Sequence, residues 1–101
     1  MTMDTARRFS PEGALVIETV PRWLSALDTQ LTRGAQVEAD FSGVSDIDSS
    51  VLALMLHWRR KAEETGARLA FVQVPANLGV LAELYGMTFL LERPESSGMT
   101  A

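Results

Sequence analysis

Between Val44 and Gly66 the chain places an acidic, hydroxyl-rich step (Asp46, Asp48, Ser49, Ser50) directly before a long apolar run ending in a charged segment. Asp and Ser side chains accept hydrogen bonds from the free N–H groups of a helix's first turn, so this order predicts a helix from about Ser49 to Thr65. Gly66 closes it. At ~100° per residue, Val51, Leu54, Met55, Trp58 and Ala62 share one face, and His57, Arg60, Lys61 and Glu64 share the opposite one. Leu52 and Leu56 lie together on the flank, beside Arg59 and Glu63, and widen the apolar arc beyond what one sheet face requires. That excess is either a contact surface or extra core. An ordinary N-cap accounts for the serines. The same start also leaves a hydroxyl at the positive end of the helix dipole, where a phosphate or a partner's acceptor is favoured.

The rest of the chain supplies strands for that helix to cover. Arg68–Val74 is rich in apolar and β-branched residues and reads as a strand that Pro75 stops. Gln36–Phe41 alternates like a strand and Ser42-Gly43 breaks it, leaving Ser45–Ser49 as a loop. Ala14–Thr19 reads as a strand with Arg7–Phe9 before it, and the turn-like Ser10–Gly13 between them predicts an antiparallel hairpin. Pro21 suits a first helical turn, and Trp23, Leu24, Leu27 and Leu31 recur at helical spacing until Gly34. A third helix starts after Pro75, with Leu78, Leu81, Ala82 and Tyr85 on one face before Gly86. Phe89–Glu92 reads as a final edge strand stopped by Pro94. Both tryptophans and Tyr85 fall on apolar helical faces and are assigned to the core. Strands alternating with helices predict an α/β fold: a central, mostly parallel sheet of four to five strands with right-handed crossovers and about three helices packed against it. Residues 1–6 are expected to be a flexible leader, 7–93 the domain, and 94–101 a disordered tail.

Composition removes several function classes. A chain of 101 residues makes one domain, able to bury roughly two-thirds of its extended surface without metal or disulfide staples. Its hydrophobic share of 47% and mean hydropathy of +0.07 are those of a soluble globular protein rather than a disordered one. With no cysteine and a lone His57, thiol redox chemistry and thiolate or histidine-cluster metal sites are excluded. A net charge of −4, with no basic run longer than Arg59–Lys61, argues against nucleic acid as a partner. That trio is read as the solvated back half of the long helix. No run is apolar enough to span a membrane and the N-terminus has no signal-peptide core, so a cytoplasmic protein is expected, with any membrane connection made through a partner.

A catalytic reading fails at the level of parts. Ser49 has no base, because His57 lies two helical turns away on the polar face. Asp46 and Asp48 with two hydroxyls are too few ligands for a hard cation, and no glycine-rich phosphate loop occurs. The chain reads as a binding module without cofactor, metal or catalytic residue.

The order Asp48-Ser49-Ser50 followed by Val-Leu-Ala-Leu resembles the signature of STAS domains. The run Leu52-Ala-Leu-Met-Leu-His57, together with Leu81-Ala-Glu-Leu-Tyr-Gly-Met87, is most similar to the STAS subunits of phospholipid ABC transporters. The resemblance spans about residues 7–93. It implies a cytoplasmic, non-catalytic subunit, peripheral to the inner membrane, that binds and stabilises or regulates the transporter's ATPase subunit and through it the membrane permease. That system moves phospholipid between inner and outer membranes and maintains outer-membrane lipid asymmetry. By the same resemblance Ser49 takes the place of the hydroxyl residue at the ATPase contact, Asp48 shapes the loop and caps the helix, and the partner surface comprises Asp46, Asp48, Ser49, Ser50, Leu52 and Leu56 with the loop after Val74. The alternative is an anti-sigma-factor antagonist switched by phosphorylation at Ser49. Val51 stands where those antagonists carry a glycine, and the early strand departs from the usual Gly-Glu-Leu pattern, with Val16-Ile-Glu18-Thr in its place.

Overall fold

Instead of reversing through a hairpin, the N-terminal strands run on in one direction, each beside a later strand. The computed structural model describes residues 7–92; the leader expected over 1–6 and the tail expected over 94–101 lie outside them. β1 (Arg7–Phe9) pairs in parallel with β3 (Gln36–Asp40), and β2 (Gly13–Leu15) pairs in parallel with β4 (Val44–Ile47). Ser10–Glu12 do not turn back: Pro11 is buried, and the N–H of Gly13 donates to the carbonyl of Gly43 at 3.0 Å. The two excursions pass closely there, since a Cβ on Gly43 would meet Cγ of Glu12 at 3.1 Å. A Pro-Gly pair marks a break in pairing equally well whether the chain reverses or continues.

β5 (Arg68–Val72) joins the far side of β3, giving a three-stranded parallel sheet in the order β1-β3-β5 beside the two-stranded β2-β4 ladder. The expected parallel α/β arrangement of five strands is thus present, divided into a three-stranded and a two-stranded ladder. β4 occupies residues expected in a loop; Ser45 and Asp46 are weak strand formers held extended by the ladder to β2. β5 stops at Val72, earlier than the expected Val74, because Gln73 takes a left-handed backbone (φ 56°).

The main helix, α2 (Ser50–Thr65), follows its sequence pattern: Val51, Leu54, Met55, Trp58 and Ala62 are all buried, and Gly66 ends it with φ 83°, its N–H donating to the Ala62 carbonyl. Trp58 is fully buried and meets Phe9 edge-on at 5.5 Å and Phe71 in a stack at 6.5 Å, so one side chain joins α2 to β1 and β5. Between β2 and β3 the expected long helix is only α1 (Val20–Leu24), followed by tight turns and a 3-10 turn at Asp28–Gln30. Ser25, Asp28 and Thr29 compete poorly for helix interiors, and burial of Leu27 and Leu31 is achieved by the tighter winding. α3 (Ala76–Leu84) buries Leu78 and Ala82. Tyr85 at its end is exposed rather than core, as are Val80 and Leu84.

Phe89–Glu92 is no edge strand. Thr88–Leu91 forms a 3-10 turn that buries Leu90. Arg59 of α2 donates to the carbonyls of Phe89, Leu90 and Glu92 at 3.2–3.4 Å, so it is a half-buried tether for the C-terminal turn and not part of a solvated helix end.

Candidate functional site

β4 delivers the Asp48-Ser49-Ser50 step to the start of α2. Ala14 lies beside Asp46 and Leu15 beside Ile47 in the β2-β4 ladder, so the turn after β2 arrives next to Asp48. There Oδ2 of Asp48 accepts the N–H of Ile17 at 3.0 Å, while Oδ1 accepts the N–H of Ser50 at 2.9 Å and the Ser50 hydroxyl. The carbonyl of Asp48 accepts the N–H of Val51 at 3.0 Å. A side-chain oxygen on the N–H two residues ahead, with the carbonyl already in the helical ladder, is what an N-cap does. Asp48 therefore caps α2.

Ser49 follows with helical backbone angles (φ −63°, ψ −18°) and makes no side-chain cap bond; it is exposed. Asp48 thus holds the cap that the resemblance implied for it, and Ser49 is left exposed at the positive helix end. Ser50 is half-buried with its hydroxyl committed to Asp48. The hydrogen bond from the Ser50 hydroxyl, then the Ile17 N–H, hold the Asp48 carboxyl below its ordinary range against an opposing push from burial, and the Ser50 N–H adds to them.

Asp46 is exposed on β4, accepting only a 3.4 Å bond from the Ser45 hydroxyl, and is not drawn into this network. Leu52, expected on the partner surface, is 2% exposed and packs in the hydrophobic core instead. Leu56 is half-buried against the same core. Among the described residues the exposed large apolar side chains are Ile17 on the turn after β2, with Val80, Leu84, Tyr85 and Phe89 on α3 and the turn beyond it. His57 sits with Nε2 3.8 Å from Oδ1 of Asp28, facing the 3-10 turn and away from Ser49. Among the described residues no three metal-ligating side chains gather, and no helix is long and apolar enough to cross a membrane.

Ile17 is the neighbour of Asp48 that sequence reasoning missed. Its segment reads as plain strand, and its tie to Asp48 spans 31 residues.

Parallel ladders with an Asp-Ser-Ser step opening the main helix define a STAS-type α/β domain. The chain belongs to the family whose model is described as "Mlab, STAS domain", which matches residues 4–92. No curated protein matches the sequence. Among solved structures it is similar to the anti-sigma factor antagonist SpoIIAA in its unphosphorylated form, with a TM-score of 0.59 and 21% identity over 82% of this chain and 79% of that one. What the two share at that identity is the fold.

Proposed function

We propose that this protein is a non-catalytic accessory subunit that docks on the ATPase of a phospholipid-moving ABC transporter from the cytoplasmic side, and stabilises or regulates it. The observation that carries this reading is the exposed Ser49 at the first turn of α2: Asp48 does the capping, so the Ser49 hydroxyl is free for a partner at a rigid, preorganised position. The family description supports the transporter, since the matching model is that of the Mlab STAS domain. The contact comprises Ser49, Asp46, the exposed side of the first turn of α2 and the loop Gln73–Pro75 after β5. It carries the transport role through the partner.

The test is co-purification of the ATPase with wild-type and Ser49→Arg chains. Arginine would place a bulky cation at the positive helix end and obstruct the partner without touching the core. The expected result is loss of the ATPase at an unchanged melting temperature. Equal recovery of the ATPase by a folded Ser49→Arg chain would remove this surface from the interface.

A second reading, a regulator switched by phosphorylation at Ser49, is favoured by the same free hydroxyl. Phosphate there would add a charge of about −1.5 to −2 attracted by the helix end and repelled by Asp46 and Asp48. Mass spectrometry of the protein from its native cell, read for a phosphate on Ser49, separates the two.

A further inference from the structure

We infer that Ile17 is an apolar anchor of the same docking face, seated on binding in an apolar pocket with a basic rim on the partner protein; the inference rests on the partner reading above. Ile17 is 61% exposed, yet the turn that carries it is tightly held. The N–H groups of Thr19 and Val20 both donate to the Val16 carbonyl, at 2.8 and 2.9 Å. The Thr19 hydroxyl donates to the Ala14 carbonyl at 2.8 Å and accepts the Val16 N–H at 3.0 Å. Ile17's own N–H is taken by Asp48, the residue that caps α2 next to Ser49. A β-branched side chain on a turn fastened at five points loses little freedom when it is buried by a partner. Folding leaves most of this isoleucine in water, and a partner pocket would bury the apolar area that remains exposed.

Charge specifies the pocket's surroundings. Residues 9–20 contain Glu12 and Glu18 and no Lys or Arg; residues 44–56 contain Asp46 and Asp48 and no Lys or Arg. Glu18 and Asp46 are exposed beside the turn and the ladder. An acidic rim around an apolar knob fits a partner with a basic rim around a pocket. A second copy of this chain would set acid against acid, and an anionic lipid surface would repel it.

The experiment measures affinity for the ATPase that co-purifies with the wild-type chain, using wild-type, Ile17→Ala, Ile17→Leu and Ser49→Arg proteins, with a thermal melt of each. The expected result is a loss of about tenfold or more for Ile17→Ala at an unchanged melting temperature, near-wild-type binding by Ile17→Leu, and binding by wild type that weakens as salt is raised. If Ser49→Arg abolishes binding while Ile17→Ala binds as wild type, the Ile17 anchor is overturned and the Ser49 surface stands. If neither substitution alters binding, the docking face itself is wrong. A dimer of the isolated chain that Ile17→Ala dissociates would make a second copy the occupant and overturn the assignment.

Discussion

The carboxylate of Asp48 and the backbone N–H of Ile17 meet at 3.0 Å, joining the turn after β2 to the start of α2. Its second oxygen holds Ser50, so one side chain fixes both sides of the exposed Ser49. The two adjacent positions are used differently: Asp48 is committed to structure, and Ser49 makes no side-chain cap bond.

Asp48→Ala should therefore lower the melting temperature by several degrees and raise amide exchange at both Ile17 and Ser50, because both donors lose their acceptor at once. Ser49→Ala should change stability by less than ~0.5 kcal/mol, since its hydroxyl caps nothing. Thermal melts of the two variants, with amide exchange read residue by residue, check the order. A larger loss from Ser49→Ala than from Asp48→Ala would mean that the cap lies at Ser49.

Leu52→Ala should destabilise the domain by about 2–5 kcal/mol through a core cavity, because Leu52 is buried with Leu15 and Leu54. Leu56→Ala, at a half-buried position, should cost distinctly less. Urea unfolding of both variants measures the difference. Near-neutral behaviour of Leu52→Ala would return that leucine to the surface.

Stability should fall in acid below the ordinary carboxylate value of 3.8. The Ser42 N–H, at 2.8 Å, holds the buried Asp40 carboxyl below that value, and the Ser42 hydroxyl and the Arg8 guanidinium assist. Asp48 is lowered by Ser50 and Ile17. Between the lowered folded values and 3.8 the unfolded chain binds more protons than the native one, so stability rises with pH there. The contribution is complete above 3.8 and is lost as pH falls through the folded values. Asp40→Asn should flatten this part of the curve in urea melts taken from pH 6 to 2; an unchanged slope would refute the assignment.

Arg59→Ala should cost about 1 kcal/mol and loosen the segment around Leu90 selectively, because the guanidinium satisfies carbonyls that the 3-10 turn leaves open. Limited proteolysis near Phe89–Glu92 reads that loosening. Arg60→Ala, exposed on the next helical position, serves as the control and should leave cleavage unchanged.

What could be read from residue order alone was everything with a local cause. The long helix is legible because its apolar period, its polar start and Gly66 are all contained within it, and the buried face follows from the same period. α3 is likewise bounded by Pro75 and Gly86, β5 is legible from its apolar run although Gln73 ends it two residues early, and the Asp48-Ser49-Ser50 step marks where α2 begins. The tertiary structure decided the rest. Whether Ser10–Gly13 turned or ran on depended on β3 and β4, some thirty residues later, being there to pair with. Thr88–Leu91 became a tethered turn because Arg59 reached its carbonyls. Three consecutive residues were each competent to cap α2, so local preference was nearly degenerate among them. The distant N–H of Ile17 settled the choice by giving the second oxygen of Asp48 a partner, and that contact is what left Ser49 exposed.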